Sequence, residues 1–275
     1  MPELPETETI ARDLDAAIRG RTITRVAVRK ADVLREVSAR TLARRLRDAR
    51  IVRSWRRAKL VVIDLDTGER IVVQPRFTGA LLIDDGTLGE KALEYSTLRM
   101  DLDDGRALHY ADVRRLGTFA LMDEQRFAEY SGKLGVEPLD RAFTAAHLSG
   151  VLRATSQPVK KVLMEQRKIA GIGNIYANEA LWRAQIDPSR PAAAISLEEA
   201  NLLRDSIVAV LSEAIEARGT SFRDYRDARG QRGSFVEKLD AYGRGGLPCH
   251  RCGSRLVTTY AVDGRATTMC VKCQH

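Results

Sequence analysis

Pro2 and Glu3 open the chain, and Cys249, Cys252, Cys270 and Cys273 close it; these residues can do chemistry by type and spacing alone. Removal of Met1 before a small residue would expose Pro2 as a free secondary amine. An α-amino group titrates at about 8, far below lysine, so part of it is neutral and nucleophilic near neutral pH. Glu3 sets a proton carrier beside that nitrogen. The same residues also have a structural explanation. Proline suits the start of a helix, and Glu3 and Glu6 in a first helical turn complement the helix dipole.

The cysteine pairs Cys249-x-x-Cys252 and Cys270-x-x-Cys273 are separated by 17 residues, a spacing suited to a four-thiolate zinc site. Each pair can approach a tetrahedral ion from a tight turn. Four protein ligands leave no open coordination position, so the expectation is one structural Zn²⁺ and not a catalytic one. So small a segment has little core, and the metal would supply most of its folding energy. Two disulfides or unligated thiols are the alternative, disfavoured in a reducing compartment. Arg244, Arg251, Arg255, Arg265 and Lys272 surround the pairs, either as a reader of a nucleic-acid groove or as a solvated surface.

The elements that must position these groups fall into three textures over 275 residues. Ile10, Leu14, Ala17 and Ile18 form one helical face over Thr7 to Ile18, with Gly20 as a stop. From residue 22 to about 122 the period becomes two, with strands at Ile23–Val28, Leu60–Leu65, Arg70–Val73 and Leu98–Leu102. Asp66-Thr67-Gly68 and Asp103-Asp104-Gly105 supply hairpin turns. After about residue 135 the pattern is helical, over Ala145–Arg153, Val159–Glu165 and Asn174–Ala184. A further helix opens on the capping box Ser196 to Glu199 and ends at Gly219.

Charge narrows the partners. The chain carries 45 Lys+Arg against 37 Asp+Glu, a formal charge of +8, which suits a polyanion without specifying one. No run of 18 apolar residues occurs, and no basic-then-apolar leader opens the chain. A cytoplasmic, nucleoid-associated location is the expectation.

Read together, the segments resemble a known family. The opening Pro2-Glu3-Leu4-Pro5-Glu6-Thr7-Glu8-Thr9 is similar to the start of bacterial formamidopyrimidine-DNA glycosylases. In the family's order there follow Arg56-Arg57-Ala58-Lys59, Asp112-x-Arg114-Arg115-x-Gly117, Gly171-Ile-Gly173-Asn174-Ile-Tyr176-Ala177, Tyr242-Gly-Arg244, and Gly264-Arg265-Ala-Thr267 within the cysteine hairpin. Leu4 stands where the related endonuclease VIII group typically has glycine. The resemblance spans essentially the whole chain. It implies an α+β multidomain fold: a helix-led β-sandwich over 1–134, a helix-two-turns-helix domain over 135–236 and a zinc-finger hairpin over 237–275.

The resemblance also implies a reaction. Pro2 would attack C1′ of the damaged nucleotide, expel the base and leave an iminium that permits β- and δ-elimination. Glu3 would move protons, and Lys59 would hold a phosphate or sugar oxygen and depress the proline's pKa. Glu6 would position the terminus or the flipped nucleotide. Asn174 and Arg265 would grip the bent backbone, with Tyr176 from the same motif at the DNA, and Arg114 would contact the orphaned base. Phe77 replaces the family's methionine wedge and Leu116 its phenylalanine, so apolar wedging is kept with the two types exchanged. Tyr95 and Thr97 stand at the approximate positions of a histidine pair. The implied substrate is double-stranded DNA with an oxidised purine (8-oxoguanine or a formamidopyrimidine), met by a monomer. Three alternatives remain open at this point: a paralogue for oxidised pyrimidines or abasic and single-stranded sites, a non-catalytic damage-binding module, and a zinc-ribbon RNA-binding protein.

Overall fold

A computed structural model describes residues 2–275, so Met1 lies outside the described residues. The contacts divide the chain into two units. One comprises residues 1–132 with 217–236, and the other 133–216 with 237–275.

The first unit begins with helix α1 (Leu4–Ile18), which buries Ile10, Leu14 and Ile18 completely. Burial of each such side chain contributes about 1.5–3 kcal/mol. The strands then build two sheets. One has the order β1 (Ile23–Val28), β7 (Ser96–Leu102), β8 (Ala107–Asp112), β6 (Gly79–Asp84). The other runs β2 (Leu34–Arg35), β9 (Thr118–Met122), β5 (Arg70–Gln74), β4 (Leu60–Leu65), β3 (Ile51–Arg57). All pairings are antiparallel except β2 with β9. Alternate residues of both sheets meet in one core: Leu98 and Met100, Leu108 and Tyr110, Leu81, Val61 and Ile63, Ile71 and Val73, Phe119 and Leu121. The period of two is thus the period of burial.

Two helices depart from the expected textures. Within the stretch read as strands, α2 (Ala39–Leu46) is capped by Ser38, whose Oγ accepts from Thr41 N at 3.2 Å. It buries only Leu42 and Leu46, too few apolar positions to show a face in the sequence. Helix α4 (Glu124–Ser131) starts before residue 135, on the cap Asp123. Its Phe127 stands edge-on to Trp55, with ring centroids 5.6 Å apart, and so covers the outer face of the second sheet. A short helix α3 (Glu90–Leu93) precedes β7.

The second unit holds α5 (Ala145–Arg153), α6 (Val159–Leu163), α7 (Asn174–Arg183) and α8 (Leu197–Glu216), followed by the hairpin β10 (Val257–Thr259) and β11 (Thr267–Met269). The capping box of α8 is present: Glu199 N donates to Ser196 Oγ at 3.1 Å, and Ser196 N donates to Glu199 Oε2 at 2.8 Å. By their contacts, residues 217–236 group with the sandwich unit. Their hydrogen bonds explain it, since Thr220 N donates to Glu6 and Ile83 N donates to the Ala228 carbonyl. The cysteine segment packs with the helices. Buried Glu179 of α7 accepts from Asp240 N, Ala241 N and Tyr242 N at 2.7–3.0 Å.

Glu8 clamps α1 to β3 through Arg56 at 2.7 Å, their side chains 19% and 8% exposed. Burial works to raise the Glu8 pKa, but the charges and hydrogen bonds of Arg56 and Arg12 outweigh it and hold the carboxyl below its ordinary 4.5. A carboxyl with a depressed folded pKa stabilises fully above the unfolded value and loses that contribution as pH falls through the folded one. Glu8→Gln is expected to cost about 1.5–3 kcal/mol at neutral pH. Melting midpoints recorded on acidification should also fall less steeply below about pH 4.5 in the variant than in the parent.

Candidate active site and metal centre

The chain's first residues are held from several sides. Pro2 is buried, Glu3 is 1% exposed and Glu6 is fully buried. Glu3 is the N-cap of α1, and its N–H donates to Glu6 Oε2 at 2.8 Å. The other Glu6 oxygen, Oε1, accepts from Thr220 N at 2.8 Å. Glu6 therefore ties the residue after Pro2 to a segment more than two hundred positions along the chain. Gly219 is needed beside it: φ is +84°, and a Cβ there would lie 2.9 Å from Glu6 Cγ. Thr7 Oγ1 donates to the Glu3 carbonyl at 2.8 Å and to the Ala58 carbonyl at 3.3 Å. Ala58, with φ +52°, and Lys59 form the two-residue turn between β3 and β4. The structure thus brings the first turn of α1 and the Lys59 turn together. Pro2, Glu3 and Lys59, expected as one constellation, arise from one corner of the sandwich unit.

The segment after Gly219 folds around a second buried acid. Asp227 is fully buried and accepts from Arg218, Arg229 N and Gln231 N. Arg218 also donates to Asp13 of α1 at 2.6 Å. Tyr225 is buried over the first turn, its hydroxyl 3.5 Å from the Glu6 carbonyl; burial, then the Glu6 charge, push its pKa up. A cavity of about 500 Å³ opens in this unit, lined by Thr78, Ala80, Tyr95, Val113, Arg223 and Arg226 among others.

Phe77 and Arg114 lie on adjacent loops, β5–β6 and β8–β9, where Leu116 is also exposed. Beneath them Asp112, 2% exposed, takes the Thr78 hydroxyl on one oxygen and Gly117 N, at 2.8 Å, on the other. Gly117 leaves room for the Tyr110 hydroxyl, which a Cβ would strike. Tyr95 is exposed, and Thr97 is buried with its hydroxyl on the Tyr110 carbonyl.

In the second unit, Gly171 (φ +100°) and Gly173 lead into α7. Asn174 is the first residue of the helix, and its side chain does not cap it. The amide donates instead to the Ala266 carbonyl at 3.1 Å, next to Arg265. Asn178 supports the same strand, accepting from Thr268 N at 2.8 Å. Lys160, fully buried, reaches Thr267 Oγ1 at 2.7 Å and Asp263 at 3.3 Å. Asn174 and Arg265 are therefore neighbours, with Arg265 exposed. Tyr176 is 1% exposed and Glu6 is fully buried, so neither side chain, both expected at the DNA, lies on the surface. The hubs Asp112, Asp227, Glu179 and Lys160 were not singled out from the sequence. Asp112 alone carried a signal, as the first residue of its motif.

The four cysteine sulfurs all lie within 4.8 Å of one another, with Cys252 Sγ and Cys270 Sγ 3.5 Å apart. Thiolates about 2.3 Å from a tetrahedral ion would be separated by nearly this distance. Hydrogen bonds from Ser254 push the Cys252 thiol down to about 6, whereas hydrogen bonding with Cys252 pushes Cys273 up to about 12. Four such thiols shed every proton together only around a cation. Trp182 and Leu256 pack against the cluster. The site can hold a metal ion.

A buried, acid-capped N-terminal turn on a β-sandwich, with a helical unit that braces an arginine-bearing thiolate hairpin, marks a DNA glycosylase of base-excision repair. The model of the formamidopyrimidine-DNA glycosylase N-terminal domain matches residues 1–119, and that of the family's H2TH domain matches residues 134–226. The chain is 40% identical over 277 residues to the formamidopyrimidine-DNA glycosylase of Heliobacterium modesticaldum, covering all of both chains. It is 41% identical over 274 residues to that of Carboxydothermus hydrogenoformans, again over both full lengths. Among solved structures, the MutM (Fpg) protein of Thermus thermophilus superposes with a TM-score of 0.87 at 34% identity, over 99% of this chain and 98% of the other. The Lactococcus lactis Fpg in complex with abasic-site DNA superposes at 0.91 and 31% identity, over 99% of each chain. The chain belongs to the formamidopyrimidine-DNA glycosylase family.

Removing the buried Lys160 cation leaves Asp263 without its counter-ion beneath Arg265. Lys160→Met is expected to destabilise the second unit by about 3–5 kcal/mol. A urea titration checks this, and an unchanged midpoint would contradict it.

Proposed function

We propose that this protein is a bifunctional DNA glycosylase and abasic-site lyase for oxidised purines, 8-oxoguanine and formamidopyrimidines, with Pro2 as nucleophile. Once Met1 is removed, the Pro2 nitrogen bonds to C1′ and the base departs with the glycosidic electron pair and a proton. Glu3 protonates O4′ as the sugar ring opens, leaving an iminium. The positive nitrogen acidifies C2′–H, whose loss expels the 3′ phosphate; loss of the C4′ proton from the resulting unsaturated iminium then expels the 5′ phosphate. Lys59 holds the neighbouring phosphate and favours the neutral amine. The observation that carries this proposal is the pinning of the first turn of α1: Glu6 fixes it to Thr220, and Thr7 fixes it to the Lys59 turn.

The remaining residues serve the duplex. The cavity beside Thr78 and Arg223 has the size to receive an extruded base. Asn174 and Arg265 grip the backbone, and Phe77, Leu116 and Arg114 enter the space the base leaves. The cysteines hold one structural zinc ion, which sets the hairpin and takes no part in the chemistry. No helix among the described residues is long and apolar enough to cross a membrane. The protein acts as a monomer on duplex DNA in the cytoplasm, at the nucleoid. The exchanged wedge residues favour one second reading, a preference for oxidised pyrimidines.

Borohydride trapping on an 8-oxoguanine duplex should give a covalent adduct, and Pro2→Gly should trap far less; equal trapping would sink the nucleophile. Glu3→Gln should slow formation of the trapped iminium adduct roughly 10²–10⁴-fold. Excision of thymine glycol faster than 8-oxoguanine would move the substrate to the second reading. Metal analysis should find one zinc per chain, and its chelation should abolish tight duplex binding; binding unaffected by complete chelation would contradict the role given to the hairpin.

A further inference from the structure

Two exposed side chains of the sandwich unit stack on each other. The Arg114 guanidinium lies over the Phe77 ring, 4.9 Å from its centroid, although Phe77 is 44% exposed. The backbones below leave this pair little freedom. Arg76 and Arg115, next to Phe77 and Arg114, have φ of +53° and +49°, so each loop turns sharply at a residue other than glycine. Arg114 N donates to Thr78 Oγ1 at 3.0 Å, and the Thr78 hydroxyl donates on to buried Asp112. Asp112 also takes Gly117 N at 2.8 Å. The two loop tips are cross-linked through one carboxylate beneath the stack.

We propose that Phe77 is a specificity-determining residue: it holds Arg114 in one orientation, so that the base opposite the lesion meets a fixed guanidinium edge. This rests on the proposal that both tips enter the duplex. A guanidinium lying on a ring has one face covered and directs its N–H edge outward. Cytosine presents two adjacent acceptors, N3 and O2, to such an edge. Adenine presents a single acceptor, N1, beside an amino donor. A freely rotating arginine can adapt to either base, whereas one held by an aromatic ring adapts less. Phe77 thereby sharpens discrimination for cytosine beyond what an aliphatic wedge would give.

Single-turnover excision of 8-oxoguanine opposite cytosine and opposite adenine tests this, with the ratio of the two rates as readout. Phe77→Leu keeps the apolar bulk that wedging needs and removes the ring; Phe77→Tyr keeps the ring. The ratio should fall about two- to five-fold in Phe77→Leu, the worth of an exposed cation–π contact, and hold in Phe77→Tyr. A parental ratio in Phe77→Leu overturns the proposal, and so does an equal fall in both variants. Arg114→Ala separates the two layers. If it leaves both rates at parental values, the arginine does not reach the opposite base, and the underlying reading fails with it.

Discussion

The carboxylate of Glu6 is the interaction on which the chemistry proposed for the sandwich unit depends. It is fully buried, and each oxygen accepts one backbone N–H, from Glu3 and from Thr220. Buried charge is costly unless its hydrogen bonds are met, so the two segments have a strong incentive to stay where the carboxylate needs them. A terminal amine is ordinarily among the most mobile groups in a protein. Here the residue following Pro2 is a helix cap held by an internal anion. That restraint is what the nucleophilic role proposed for Pro2 requires, because covalent catalysis gains only when the attacking atom is already oriented.

The same device recurs. Asp112 joins two loops, Asp227 shapes the segment after α8, and Glu179 gathers three consecutive backbone N–H groups ahead of the first cysteine pair. Burial works against the charged form of Glu179 and raises its pKa, with the three N–H donors opposing. Lys160 is the cationic counterpart, holding the turn that presents Arg265. In each case a buried ionisable group fixes irregular backbone. Such groups serve positioning more than net stability.

Legibility in the sequence followed physical range. Helix α1, strands β1, β4, β5 and β7, and the capping box of α8 could be read because their signals repeat every two to four residues. The cysteine centre was legible because its ligands come as two tight pairs. Helices α2 and α4 were not, since each buries only one or two residues and otherwise reads as charge. Glu6 read as an acid complementing a helix dipole, its partner Thr220 lying 214 positions away. That pairing also decides where 217–236 belongs, which no local pattern conveys. Phe77 and Leu116 could be noticed as unusual, but the stack of Phe77 on Arg114 needs the two left-handed turns, and neither turn sits on a glycine.

Peptide mass mapping of the borohydride-reduced adduct tests the central claim most directly. After reaction with an 8-oxoguanine duplex and reduction, the added mass is expected on the peptide that begins at Pro2. Added mass on the peptide carrying Lys59, with the Pro2 peptide unmodified, would contradict it.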